Sequence, residues 1–154
     1  MEIKIKKLSD KGVIPTCAKH GDAGMDLTAT SKSYDEYGNV VYGTSLAFEI
    51  PEGFVGLLFP RSSNTKKDLT LGNSVGVLDS GYRGEVFFKF KPLAYKGENE
   101  DGKYELSIDH VVDYGVGDRI GQIIVIPHPK VTFVEVDELS STDRGDGGFG
   151  SSGV

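Results

Sequence analysis

The 154-residue chain is predicted to be all-β, a jelly-roll-like barrel, and three features carry that prediction. Its apolar and alternating runs are short, polar turn clusters separate them, and no long stretch keeps apolar residues at i, i+3, i+4 and i+7. "EIKIKKL" alternates and reads as the first strand. "AGMDLTA" (23–29) and "FVGLLF" (54–59) follow as strands, the second with the apolar content of a buried one. "SSNTKKD", after Arg61, is predicted to form a short helical turn. A strand ending at Asp79 then enters "DSGYRG", which has the composition of a hairpin. "EVFFKF", "IGQIIVIP" and "KVTFVEV" complete the strands. The turns between them are "SDKG", "DEYGN", "PEG", "KGENEDGK" and "YGVGD".

Hydrophobic residues make up 38% and charged ones 26%, which fits one ordinary soluble domain able to bury a core without staples. We expect that domain to span residues 1–139. Beyond about Asp137 the composition shifts to Ser, Thr, Asp and Gly, so 140–154 is expected to be a flexible tail. The opening "MEIKIKKLSD" has no apolar h-region and no segment has the length of a membrane span, so a cytosolic protein with no membrane partner is expected. A net charge of -6 argues against nucleic acid as a partner, because no cationic excess is available to displace counterions. Cys17, His20, His110 and His128 are scattered without metal-ligand spacing.

Five polar segments interrupt the β pattern. In the first, Asp26 sits among apolar and small neighbours, where a carboxylate is costly unless it is paired or near a metal. In "PRSSNT", Arg61, Ser62 and Ser63 offer a guanidinium, hydroxyls and N–H groups suited to a polyphosphate, although either serine could simply cap a turn. "GNSVGVLDSGYRGE" (72–85) combines glycines that let main chain approach a base edge with Asn73, Asp79 and Tyr82. Alone it reads equally well as a tight hairpin. Gln122 interrupts an apolar strand, either as a satisfied core amide or as a donor to phosphate. The tail "RGDGGFGSSGV" carries Arg144 and Phe149, a phosphate-gripping cation and a ring able to cover a flat ligand. Its "GDGGFG" satisfies G-x-G-x-x-G but lacks the following helix of a dinucleotide site, and its "RGD" carries no weight alone.

In order and content these segments resemble the five motifs of the trimeric deoxyuridine triphosphate nucleotidohydrolases, the dUTPases. The resemblance implies a homotrimer with shared active sites, in which the tail crosses to another subunit and closes as a lid over dUTP. It implies that Asp79 activates the water that attacks the α-phosphorus. Tyr82 would pack on deoxyribose and exclude UTP, while Asn73 and the main chain around Gly76 and Val77 read uracil. Arg61, Ser62, Ser63, Gln122 and Arg144 would hold phosphates, and Phe149 and Gly150 would cover the uracil side. Mg²⁺ is implied as cofactor, with no direct protein ligand and with its waters oriented by Asp26 and Gln122. The products would be dUMP and pyrophosphate.

One stretch departs from the compact family pattern. Between Glu85 and Gly117 the chain is longer than expected, and "YKGENEDGK" reads as an extended hairpin tip, a tolerated insertion at 90–110 or a docking point for a protein partner. Two rivals share the fold or the pocket. A dCTP deaminase would need a glutamate where Lys89 stands, with Glu85 nearby, and a non-catalytic nucleotide sensor would not need Asp79 as a base.

Overall fold

Alternating apolar side chains seek a shared interior, and in the computed structural model they find it between two sheets. The structure describes residues 1–93 and 111–148, and the strands Tyr95–Glu98 and Tyr104–Ser107 by backbone alone. Phe149, Gly150, His110 and the insertion tip at 99–103 lie outside the described residues.

The strands are β1 (Lys4–Lys7), β2 (Met25–Thr28), β3 (Ser31–Tyr34), β4 (Val40–Gly43), β5 (Leu46–Glu49) and β6 (Phe54–Phe59), followed by a 3₁₀ turn at Ser62–Lys66. Then come β7 (Leu69–Leu71), β8 (Gly76–Leu78), β9 (Phe87–Pro92), β10 (Tyr95–Glu98), β11 (Tyr104–Ser107) and β12 (Arg119–Pro127). One sheet runs β2-β12-β6-β8 and the other β3-β4-β9-β7, with β1-β5 and β10-β11 as separate ribbons. Every pairing is antiparallel. The chain changes sheet repeatedly, between β2 and β3, β6 and β7, β7 and β8, and β8 and β9, which gives the jelly-roll-like character. Among the described residues the ladders do not close into one continuous barrel.

The core joins Leu27, Leu58, Leu78, Ile120 and Ile123 of the first sheet to Val40, Tyr42, Leu71, Phe88 and Phe90 of the second. Each such side chain contributes about 1.5–3 kcal/mol through burial. Tyr42 is fully buried, yet its hydroxyl is satisfied: it donates to Tyr114 O at 3.0 Å and accepts from Tyr114 N–H at 3.1 Å.

Two sequence expectations fail. "KVTFVEV" is not a strand: residues 130–136 are exposed, with Phe133 95% accessible, because they lie along no strand edge of their own chain. "DSGYRG" is not a hairpin, since β8 pairs with β6 while β9 pairs with β4 and β7, so the segment bridges the two sheets. A tight turn survives within it, Tyr82 N–H donating to Asp79 O at 3.1 Å. Of the "YKGENEDGK" expectation only the flanking ladder is described, β10 and β11 pairing antiparallel from Tyr95↔Ser107 to Glu98↔Tyr104; the tip lies outside the described residues. No helix among the described residues is long and apolar enough to cross a membrane.

Candidate active site

The first-sheet ladder fixes the residues of the first, second and fourth polar segments. Asp26 of β2 and Phe59 of β6 both stand opposite Gln122 of β12, so the strand end that continues into Pro60 and Arg61 emerges beside Asp26. Arg61 Nε donates to Asp26 Oδ1 at 2.7 Å, and its Nη1 donates to Ser63 Oγ at 3.1 Å. Arg119 Nη1 donates to the other carboxylate oxygen, Asp26 Oδ2, at 2.9 Å. Gln122 Nε2 donates to Pro60 O at 3.0 Å, tying down the residue before Arg61. Gly24 makes this possible, because a Cβ there would overlap Gln122 Oε1. Asp26, Arg61, Ser62, Arg119 and Gln122, with Asp22 at the edge, line one cleft of about 380 Å³.

Ser62 and Ser63 lie inside the 3₁₀ turn and do not cap it; Arg61 holds the cap position, and its side chain makes no capping bond to the turn's backbone. Support comes from below instead. Tyr114 Oη donates to Asn64 Oδ1 at 3.1 Å, and burial pushes the Tyr114 hydroxyl above its ordinary pKa. Lys67 Nζ lies 4.9 Å from the Tyr114 ring centroid.

The third segment builds a second cleft, of about 220 Å³, where Asn73, Gly76, Val77, Asp79 and Tyr82 converge. Ser74 takes a left-handed φ of 59° in the turn before β8. Gly76 fits against Leu58, and a Cβ there would sit 3.0 Å from Leu58 Cβ. Tyr82 folds its ring over Gly84 and donates from its hydroxyl to Glu85 O at 2.9 Å. Asp79 and Val77 stand exposed at this cleft. Glu85 is engaged in the fold, its Oε1 accepting Ser45 N–H at 2.7 Å, and Lys89 pairs with Asp35 at 3.2 Å.

The structure therefore gathers the predicted residues into two clefts of one chain, not one. Arg144 joins neither: its Nε donates to Gly147 O at 3.0 Å inside its own turn. Sequence reasoning missed Arg119 and Gly24. Arg119 is three residues from Gln122, which strict alternation puts on opposite faces of a strand. The one available signal was "RIGQ", whose glycine suggests a bulge.

Fold and site together define an all-antiparallel β-sheet protein of jelly-roll-like type, with a paired-arginine cleft beside a second cleft of amide, carboxylate and ring. The family model for dUTPase matches residues 10–96 and 107–153. A deoxyuridine 5'-triphosphate nucleotidohydrolase of Clostridium acetobutylicum is 38% identical over 156 residues, covering 100% of this chain and 98% of that protein. Its counterpart in Nocardia farcinica is 39% identical over 153 residues, covering 98% and 85%. Among solved structures, a mutant Staphylococcus bacteriophage 80alpha dUTPase with dUpNHpp superposes with a TM-score of 0.80 at 28% identity, covering 99% of both chains. A mutant dUTPase of phage phi11 of S. aureus, described with a structural Mg(II) ion, gives 0.71 at 27% identity, covering 92% of this chain and 100% of that one. The chain belongs to the dUTPase family. The family match skips 97–106, inside the insertion read from the sequence.

Proposed function

We propose that this protein hydrolyses dUTP to dUMP and pyrophosphate. The observation that carries the reading is the pair of clefts, one with the donors a phosphate chain needs and one with the groups that could read a deoxynucleoside and activate water. Asp79 is the base that takes a proton from water as it attacks the α-phosphorus. Tyr82 packs on the sugar, and Asn73 with the main chain at Gly76 and Val77 reads uracil. Arg61, Ser62, Ser63 and Gln122 bind phosphates.

A homotrimer with shared sites accounts for the separation of the clefts, since a neighbouring chain can bring its anion cleft to this chain's third segment. The exposed run Val131, Phe133, Val134, Val136 and Leu139 supports assembly, because a second copy can bury what the chain leaves in water. Residues 140–154 act as the lid, delivering Arg144, Phe149 and Gly150 to a neighbour's site.

Mg²⁺ fits this residue set as an ion carried by the phosphates. Among the described residues no three His, Cys, Asp or Glu side chains converge as ligands. Asp26 and Gln122 Oε1 keep acceptor capacity toward metal-bound waters. When bound, the ion neutralises phosphate charge and aligns the chain for in-line attack. The deaminase reading is not favoured, since Glu85 is committed to Ser45 and Lys89 to Asp35. The 90–110 insertion is read as a tolerated addition that leaves the chemistry intact, with protein docking as its second use.

The test is pyrophosphate release with Mg²⁺ from dUTP, dCTP, dTTP and UTP in parallel, with nucleoside products identified. Release from dUTP alone is expected. Conversion of dCTP to a uracil product, or silence on all four, would overturn the reading.

A further inference from the structure

We propose that Arg119 is a positioning residue for the phosphate chain: by sharing Asp26 with Arg61, it keeps the Arg61–Asp26–Arg119 cluster cationic and Arg61 correctly aimed, and stops the cleft lining as a whole from turning negative. This rests on the reading of that cleft as the phosphate site.

The first observation is a fault in the ladder. β12 pairs with β2 in register from Gln122↔Asp26 to Ile123↔Met25, but the register shifts between Arg119 and Gly121. In a regular strand Arg119 and Gln122, three residues apart, would face opposite sides. Here Ile120 and Gly121 are buried in succession, as a bulge requires, and Arg119 and Gln122 reach the same cleft. Gly121 is the residue that permits this, because a Cβ there would overlap the Phe88 ring. The bulge carries Arg119 out of the sheet's alternation and onto Asp26.

The second observation is the charge count. The cleft is lined by two arginines and two aspartates, Asp22 and Asp26. Asp22 Oδ2 is turned to Lys19 N–H at 2.9 Å. The cluster Arg61–Asp26–Arg119 therefore carries one net positive charge. Without Arg119 it would be a neutral pair with Asp26 Oδ2 bare, and with Asp22 counted the whole lining would be negative. A carboxylate with one open oxygen repels a phosphate chain, and at short range in a half-buried cleft that repulsion is costly. Arg119 covers that oxygen with a charged donor while leaving it a second lone pair. Arg61, held at Nε by Asp26 and at Nη1 by Ser63, lines the cleft with donors left over for a ligand.

The test is a charge rescue. Binding of inorganic tripolyphosphate is measured by calorimetry without divalent metal, for the wild type, Arg119→Gln, Arg119→Lys, and Arg119→Gln combined with Asp26→Asn. Arg119→Gln is expected to weaken binding about tenfold or more, the scale of one charged hydrogen bond. Removing the Asp26 charge restores the net charge of the cluster, so the double variant should recover most of the loss, and Arg119→Lys should retain most of the affinity. In dUTP hydrolysis, Arg119→Gln should raise KM and leave kcat nearly unchanged. An unchanged affinity in Arg119→Gln, or a double variant weaker than the single one, would overturn the proposal; so would a fall in kcat at constant KM, or a wild type that does not bind tripolyphosphate. A wild type that binds tripolyphosphate and shows the rescue, yet hydrolyses no nucleotide, would leave this inference standing and remove the hydrolase reading.

Discussion

The two clefts are built in opposite ways. In the anion cleft, Asp26, Arg61, Arg119 and Gln122 are joined to one another or to the backbone by bonds of 2.7–3.1 Å, and the turn beneath them is braced by Tyr114. In the third-segment cleft, Asp79 and Val77 stand exposed, and the Tyr82 ring is anchored through its hydroxyl, which donates to Glu85 O. A phosphate chain is the same in every nucleoside triphosphate, so its site can be fixed in advance at no cost in selectivity. On the proposed reading, the groups that would select base and sugar, and the Asp79 base, are the ones left open, to be completed by ligand and by another chain. The difference separates binding from turnover, and each variant below acts on one side of it.

The largest effect should come from Asp79→Asn. Loss of the base should lower kcat by about 10²–10⁴-fold. Affinity for dUpNHpp should remain, because the anion cleft is untouched. Stopped-flow pyrophosphate release alongside calorimetry separates the two quantities, and turnover near the wild-type rate would remove Asp79 from its role.

A pair of glycine substitutions should divide the clefts at a smaller scale. Gly24→Ala forces Gln122 away from Pro60 O, since the new Cβ meets only the movable end of that side chain. KM for dUTP should rise about tenfold, the value of one lost charge-assisted contact, with base and sugar selection unaltered. Gly84→Ala instead displaces the Tyr82 ring, with a Cβ 2.6 Å from its Cζ. Discrimination between dUTP and UTP should then fall about tenfold while tripolyphosphate binding holds. Exchange of these phenotypes between the two variants would break the division of labour.

Much of this was legible in the sequence, and the failures share a cause. Strands such as "FVGLLF" and "IGQIIVIP" have enough apolar content to be read directly, and Asp26, Arg61 and Gln122 do meet in one cleft. β3, β4, β5 and β7 escaped because each is only three or four residues long and, unlike the equally short β1, β2 and β8, stands in no longer alternating run or polar motif that draws attention to it. "DEYGN" was recognised as a turn, but not as the hairpin between β3 and β4. There the Asn39 side chain and backbone, Tyr37 N–H and Lys89 hold the Asp35 carboxyl down at about 2. "KVTFVEV" alternates like a strand, but pairing needs a free edge, and local pattern carries no information about where that edge lies. Arg119 was missed for the complementary reason: a bulge overrides the alternation on which the reading depends.

The smallest effect on turnover should come from Tyr42→Phe, which tests whether the brace under the anion cleft belongs to the core. The Tyr42 hydroxyl both donates to Tyr114 O and accepts from Tyr114 N–H, so its removal leaves two buried backbone groups unpaired. Urea unfolding should show a loss of about 1–3 kcal/mol, with kcat at 25 °C close to the wild type. pH gives the sign. Burial raises both the Tyr42 and the Tyr114 hydroxyls, so their folded pKa values lie above the unfolded one. The stability they contribute is fully present below an unfolded value of about 10 and is lost as pH rises beyond it. The wild type should therefore lose stability more steeply above pH 10 than Tyr42→Phe, which keeps only the Tyr114 share. If the two alkaline limbs run parallel, the buried Tyr42 hydroxyl is not what couples the core to the anion cleft.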